Sequence, residues 1–182
     1  MKSFLFVFVL LFSGRGFADT LFEFGAISLT ESTATPTSTS SGKTFYNVAF
    51  LFSLNKHVWG GWNFAGLSHA ETTTGTSTIA STDSGPYLKW QFGKANLYSL
   101  SAAYHLSSKA TYSSGATNEN WDGTSLWLQF GITPEVSAGF NIGASLNYYA
   151  ASYSKKVASS IESSAANSKT WVFPMLTLTK QW

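Results

Sequence analysis

Three side chains with the makings of acyl-transfer chemistry lie close together in this sequence. His105 and Ser107 stand two residues apart in His105-Leu106-Ser107-Ser108, and Glu119 follows the histidine by fourteen residues. A hydroxyl, an imidazole and a carboxylate are the groups that nucleophilic catalysis combines. A second pair is of another kind. Glu23 and Lys89 stand alone in stretches that hold almost no other charge, which suits a structural ion pair. His57 and His69 have no His-x-x-x-His spacing and no carboxylate cluster beside them, so no metal site is expected. The chain has no Cys, which excludes disulfides, thiolate ligands and Cys nucleophiles. No motif calls for a cofactor.

The elements that position these residues are read from composition and periodicity. The chain has 182 residues, a formal net charge of +2, and 11% charged residues against the roughly 25% of an ordinary soluble domain. Aromatics reach 16%, with seven Trp. No basic run is present, so nucleic acid is not an expected partner. Met1-Lys2, the apolar run 3–12 and Gly16-Phe17-Ala18 read as a secretory signal peptide cleaved after Ala18. The run is too short for a transmembrane helix, which needs roughly 20 residues. Two domains follow: signal peptide 1–18, and 19–182 with nine Lys, no Arg and nine acidic residues.

After residue 18 there is no apolar stretch of membrane-helix length and no period of 3.6. Period 2 recurs over segments of about ten residues, the length of a transmembrane β-strand. Strands are predicted at 20–30, 44–54, 58–70, 85–93, 96–107, 123–132, 136–150 and 170–182. Asn55-Lys56-His57, Gly93-Lys94-Ala95 and Thr133-Pro134-Glu135 are predicted tight turns. Ser/Thr-rich segments near 31–43, 71–84, 108–122 and 151–169 are predicted loops. Short and long connections alternate, as they do in an up-and-down barrel with periplasmic turns and extracellular loops.

The phase of the alternation carries the fold class. Tyr46, Val48, Phe50 and Phe52, then Leu88, Trp90 and Phe92, then Leu126, Leu128 and Phe130 are even-numbered and apolar. Asn47, Gln91, Ser99, Ser101, Gln129, Asn141, Ser145 and Asn147 are odd-numbered and polar. A soluble barrel of the lipocalin or streptavidin kind would turn the apolar face inward and need charge on its wet face. Strands 2, 4, 5, 6 and 7 together hold one charged residue, Lys89, on the polar face. The expectation is an all-β, eight-stranded antiparallel up-and-down transmembrane β-barrel, apolar outside and polar within. Phe45, Trp59, Leu67, Tyr87, Trp127, Tyr149, Trp171 and Phe173 share the odd face, so a barrel of this width should be filled. Pro174 inside the last strand lacks a ladder donor, and a bulge or locally broken pairing is expected there.

The signal peptide, the eight alternating segments and a terminal aromatic make the chain resemble the small outer-membrane barrels of Gram-negative bacteria, the OmpA-barrel and OmpX class. The C-terminal assembly signal is carried by Leu176, Leu178 and Trp182, with Lys180 as a departure. The resemblance implies residence in the outer membrane, contact with its lipid and lipopolysaccharide, and a structural or surface-interaction role toward an extracellular ligand or host surface. Aromatic belts are expected at both interfaces: Phe22, Phe52, Trp90, Tyr98 and Trp182 on the periplasmic side, Tyr46, Tyr104 and Tyr148 on the outer side. Lys155, Lys156 and Lys169 border the fourth predicted loop, within reach of lipopolysaccharide phosphates.

His105, Ser107 and Glu119 are similar to the His-x-Ser-Asn motif and downstream Glu of the lipid A deacylases. That resemblance implies Ser107 as nucleophile, His105 as base and Glu119 as orienter. Ser108 stands where that family has Asn, and the motif falls in the fifth strand rather than near the C-terminus. The odd numbers of His105 and Ser107 point both into the lumen, away from lipid. The expectation is therefore a barrel without catalysis, and a deacylase-like hydrolase is the alternative. Glu23 on strand 1 and Lys89 on strand 4 share the odd face and a similar height, which predicts an ion pair across the lower lumen.

Overall fold

The computed structural model describes residues 19–34, 38–158 and 160–182. The predicted leader, 1–18, lies outside the described residues. The strands are β1 (Thr20–Ala34), β2 (Ser38–Ser53), β3 (Val58–Thr72), β4 (Thr76–Phe92), β5 (Tyr98–Ser114), β6 (Thr117–Ile132), β7 (Glu135–Ser137), β8 (Phe140–Ala158) and β9 (Ile161–Gln181). All pairings are antiparallel. Eight strands close a ring in the order β1-β2-β3-β4-β5-β6-β8-β9, and β9 returns to β1. The three-residue β7 lies outside the ring and pairs with the start of β8. Closure pairs the first and last strands from Leu21 and Gln181 to Ala26 and Leu176, and so removes most of the free edge from the hydrocarbon, where an unpaired peptide group costs several kcal/mol.

The side-chain alternation has the predicted sense. Phe45, Trp59, Leu67, Tyr87, Trp127, Tyr149 and Phe173 are buried in the lumen, with Trp171 packed against them. Phe50, Trp62, Phe64, Trp90, Leu100 and Phe130 stand exposed on the outer wall. A water-soluble barrel would present the opposite surface.

Three features differ from the sequence-based expectation. First, the described residues of the segments predicted as long loops are mostly strand. A membrane crossing needs roughly 9–11 residues, yet β8 runs for 19 and β9 for 21. The hairpins reverse at tips around Gly75, Gly115 and Ser160. Above the membrane both faces of a strand can be polar, so Ser/Thr-rich sequence pairs into sheet without a period-2 apolar signal; Thr itself favours strands. Second, the connection after β6 extends to Gly139 (φ 67): Val136 lies exposed in the short β7 and Ala138 in the turn that follows, and the ring strand β8 starts only at Phe140. Third, β5 carries a bulge. Its pairing with β4 shifts between Ser84 and Tyr87, and its pairing with β6 shifts between His105 and Ser108. One extra residue reverses the facing of everything beyond it. His105 is buried, Leu106 and Ser107 are both exposed, and Ser108 is buried.

Glycine makes room for the bulge. A Cβ at Gly85 would run into the Tyr104 carbonyl oxygen and crowd the His105 backbone, and one at Gly123 would meet the Ser152 carbonyl oxygen beside the β8 irregularity. At the end of the ring that holds Thr20 and Gln181, the Asn55 Oδ1 accepts from the backbone N–H groups of His57 and Val58, both at 2.9 Å, and turns β2 into β3. Pro174 keeps its partner Leu146 on β8, whereas the ladder between β1 and β9 ends at Ala26 and Leu176.

The bulge yields a stability test. Gly85→Ala should cost about 1–3 kcal/mol, because the wall must move off the new methyl group. Gly75→Ala, with nothing within 4 Å of its Cβ, should stay within about 0.5 kcal/mol of the parent. Urea unfolding in lipid vesicles compares the two.

Candidate functional site

The lumen is the part of the molecule where polar chemistry is concentrated, and it is layered. At the bottom, Glu23 on β1 and Lys89 on β4 form an ion pair, and both side chains are fully buried. Strands 1 and 4 face each other across a narrow ring, so long side chains bridge it. The other carboxylate oxygen, Glu23 Oε1, accepts from Asn47 Nδ2 at 3.2 Å and lies 2.8 Å from the Tyr87 hydroxyl, which is also 3.1 Å from Gln129 Oε1. Gln129 Nε2 donates to Ser145 Oγ at 3.1 Å, and Ser145 Oγ meets Thr177 Oγ1 at 3.0 Å. Trp127 donates to Asn147 Oδ1 at 3.0 Å and Trp59 to Gln91 Oε1 at 2.7 Å. These contacts involve seven of the eight ring strands, all but β5, and satisfy a charge pair that would be costly alone.

In the middle layer His105 is held at both ring nitrogens: Nδ1 lies 2.8 Å from Ser125 Oγ and Nε2 2.8 Å from Asn63 Oδ1. Its ring stands edge-on to Trp127 at 6.5 Å. Ser107 faces the other way. The expectation that both residues point inward holds for His105 and fails for Ser107, because the β5 bulge turns Ser107 onto the outer wall. Glu119 is farther still: it lies six residues up β6 from Ser125, the partner of His105, about 20 Å at strand rise. There it accepts from Trp121 Nε1 at 2.8 Å and from Lys156 Nζ at 3.1 Å, contacts that hold its carboxyl below the usual range. The three residues of the hydrolase pattern are not brought together.

The upper layer was not anticipated. Asp83, assigned to a loop by the sequence, is a buried lumen residue whose Oδ2 accepts from the Tyr149 hydroxyl at 2.8 Å, with Ser108 as its partner on β5. Above it Tyr112 stacks on Trp121 at 5.2 Å, and Trp121 meets Tyr153 at 5.5 Å. On the opposite wall the His69 ring stands edge-on to Trp171, with Lys43 and Lys169 close enough to His69 to act on its charge. Lys109 gave a usable signal: on unbroken parity it would have carried a charge into the lumen.

The predicted interface aromatics stand on the outer wall. Phe22, Phe52, Trp90, Tyr98 and Trp182 lie toward the end that carries the chain termini, and Tyr46, Tyr104 and Tyr148 lie above them. Leu176 and Trp182 are exposed there and Leu178 is half-buried; the Trp182 backbone N–H donates to the Thr20 carbonyl at 3.0 Å. Lys155 and Lys156 are occupied by Glu162 and Glu119, each at 3.1 Å. Among the described residues, no group of His, Cys, Asp or Glu could hold a metal ion.

The lower lumen gives a coupling test. Glu23→Gln and Lys89→Met should each destabilise the barrel by about 3–5 kcal/mol, because each leaves a buried charge behind, and the double variant should recover part of that loss. A double-mutant cycle read by urea unfolding measures it; a coupling energy of zero would contradict the pair.

No family profile matches the chain, and no curated protein matches it by sequence. Solved structures do. Neisserial surface protein A (NspA) aligns over 90% of this chain and 97% of its own, at 9% identity and a TM-score of 0.55. The translocator domain of the autotransporter NalP from Neisseria meningitidis aligns over 99% and 67%, at 11% identity and a TM-score of 0.42. OmpT, an outer membrane protein of Vibrio cholerae, aligns over 91% and 53%, at 7% identity and a TM-score of 0.32. At such identities the likeness is one of fold, and the NspA match carries it. The chain has the fold of the outer-membrane β-barrel class, with an eight-stranded ring and a filled lumen.

Proposed function

We propose that the chain resides in a Gram-negative outer membrane, delivered by a leader removed after Ala18, and acts there as a non-enzymatic barrel through its extracellular end. The observation that carries this reading is the change of the outer wall with height. Between the lower aromatics and Tyr46, Tyr104 and Tyr148 the outward residues are mostly apolar; above them most are Ser or Thr, among them Ser28, Thr44, Ser68, Thr82, Thr111 and Ser152, with Leu106 a large apolar exception. A wall of that kind suits hydrocarbon below and water above. The strands continue well past the change, so the extracellular end is a strand-built collar with short tips. A collar of paired strands is stiff, and stiffness suits recognition of an extracellular ligand or host surface better than long mobile loops do.

The filled lumen supports a structural role over conduction. The lipopolysaccharide of the outer leaflet is a natural neighbour of Lys109, which is exposed on the outer wall above Tyr104. The hydrolase reading finds no support in the opposed facing of His105 and Ser107. The name of NspA, a surface protein, agrees with a role at the cell surface.

Two measurements test the reading. The protein should fractionate with the outer membrane and migrate differently on SDS gels before and after boiling; a soluble periplasmic product without that shift would overturn it. Lipid A from cells expressing the protein should keep all its acyl chains, and Ser107→Ala should leave the lipid A profile unchanged.

A further inference from the structure

One seam of the ring is short. β1 and β9 pair over six positions, from Leu21 opposite Gln181 to Ala26 opposite Leu176, although β1 runs on to Ala34 and β9 begins at Ile161. Every other seam of the ring runs nearly the length of its strands. The cause lies in the sequence. Trp182 N donates to the Thr20 carbonyl on β1 at 3.0 Å, and Gln181 N donates the other way, to the Gly139 carbonyl, at 2.7 Å. Donors alternate sides along an antiparallel strand, so the even residues of β9 serve β1: Lys180, Leu178 and Leu176. The next even residue is Pro174, which has no N–H. The ladder stops one step below the missing donor.

The opening lies at a particular height. Ala26, at its foot, pairs with the girdle residue Tyr46, and the outward residues of β1 change there from Phe24 to Ser28. On β9 the outward residues Leu176, Pro174 and Val172 remain apolar, with Leu176 70% and Val172 65% exposed. The slot therefore straddles the boundary between the outer leaflet and water. Its inner wall is apolar: Ile27 and Leu29 from β1, Trp171 and Phe173 from β9, and Phe45 stacked on Phe173 at 3.7 Å. Its upper rim is cationic. Lys43 and His69 are cross-strand partners, the His69 ring stands edge-on to Trp171 at 6.0 Å, and Lys169 lies two residues above Trp171. Burial and the charges of Lys43 and Lys169 lower the His69 pKa, and Glu71 opposes them. Glu31, 3.9 Å from Lys43, is an exposed carboxylate and a weak counter-charge.

We propose that this slot is a lateral binding site for an anionic acyl-chain lipid of the outer leaflet, its chain between β1 and β9 and its phosphate on Lys43 and Lys169. The vertical order of the lining, apolar then cationic, is the order in which such a lipid presents itself from tail to headgroup. Displacing Ile27 and Leu29 is the motion that admits the chain, and no hydrogen bond between β1 and β9 has to break.

The absence of Cys allows a clean lock. Thr30→Cys with Val172→Cys continues the register of the seam and keeps Pro174. The protein is refolded into phosphatidylcholine vesicles doped with phosphatidylglycerol, extracted in mild detergent, and its retained lipid counted by native mass spectrometry. The reduced lock and the parent should retain phosphatidylglycerol in preference to phosphatidylcholine. Oxidation should lower that retention at least tenfold, as should Lys43→Gln with Lys169→Gln. Each form is first required to show the heat-dependent gel shift, so failure of the membrane-barrel reading is scored separately. Retention unchanged by both oxidation and charge removal would overturn the proposal: the lipid would then sit on the outer wall at large, and the free β1 edge would be left to an extended peptide partner.

Discussion

In hydrocarbon a peptide group with no partner has no water to turn to, and this molecule is organised around that constraint. Eight strands meet it by closing a ring, and the number eight then sets the rest. A ring this narrow brings side chains from opposite walls into contact, so the lumen is a core. Because the outer wall has been given over to lipid, that core receives the polar residues, and each must find its partner inside. The Glu23 and Lys89 pair is the extreme case: two opposite charges, fully buried, made tolerable by each other and by Asn47, Tyr87 and Gln129 around them.

What the sequence made legible follows from the same constraint. Lipid removes charge from one face of every strand, so even-numbered apolar residues, a near absence of charge and the position of Lys89 opposite Glu23 could be read without coordinates. The constraint also explains what could not be read. Above the girdle the apolar demand ends, and a Ser/Thr-rich strand there looks like a loop. The hairpin arms of β8 and β9 are of this kind. A bulge is invisible to a parity rule, since the rule assumes that no residue is inserted; Leu106 and Ser107 break it, and with it the inward placement of Ser107. The one trace left in the sequence is Lys109, whose charge belongs outside.

The lower and upper halves of the lumen do different things. The lower half is tied strand to strand by side-chain hydrogen bonds centred on Glu23, Tyr87, Gln129 and Ser145. The upper half is held mainly by ring contacts: Phe45 with Trp171 and Phe173, Tyr149 with Trp171, and Trp121 with Tyr153. Aromatic contacts have broad optima, whereas a buried ion pair tolerates little displacement. A ring fastened rigidly below and packed more loosely above can open at its upper end without disturbing its closure.

Pro174 belongs to this division. On most barrel strands a proline would leave a carbonyl of the neighbouring strand without its donor and weaken the wall. Here the missing donor faces β1 at the step where the outward residues of β1 turn from Ala26 to Ser28, so the carbonyl left without it lies where water can reach. Closure between the first and last strands is thus retained along the apolar part of β1 and relinquished beyond it.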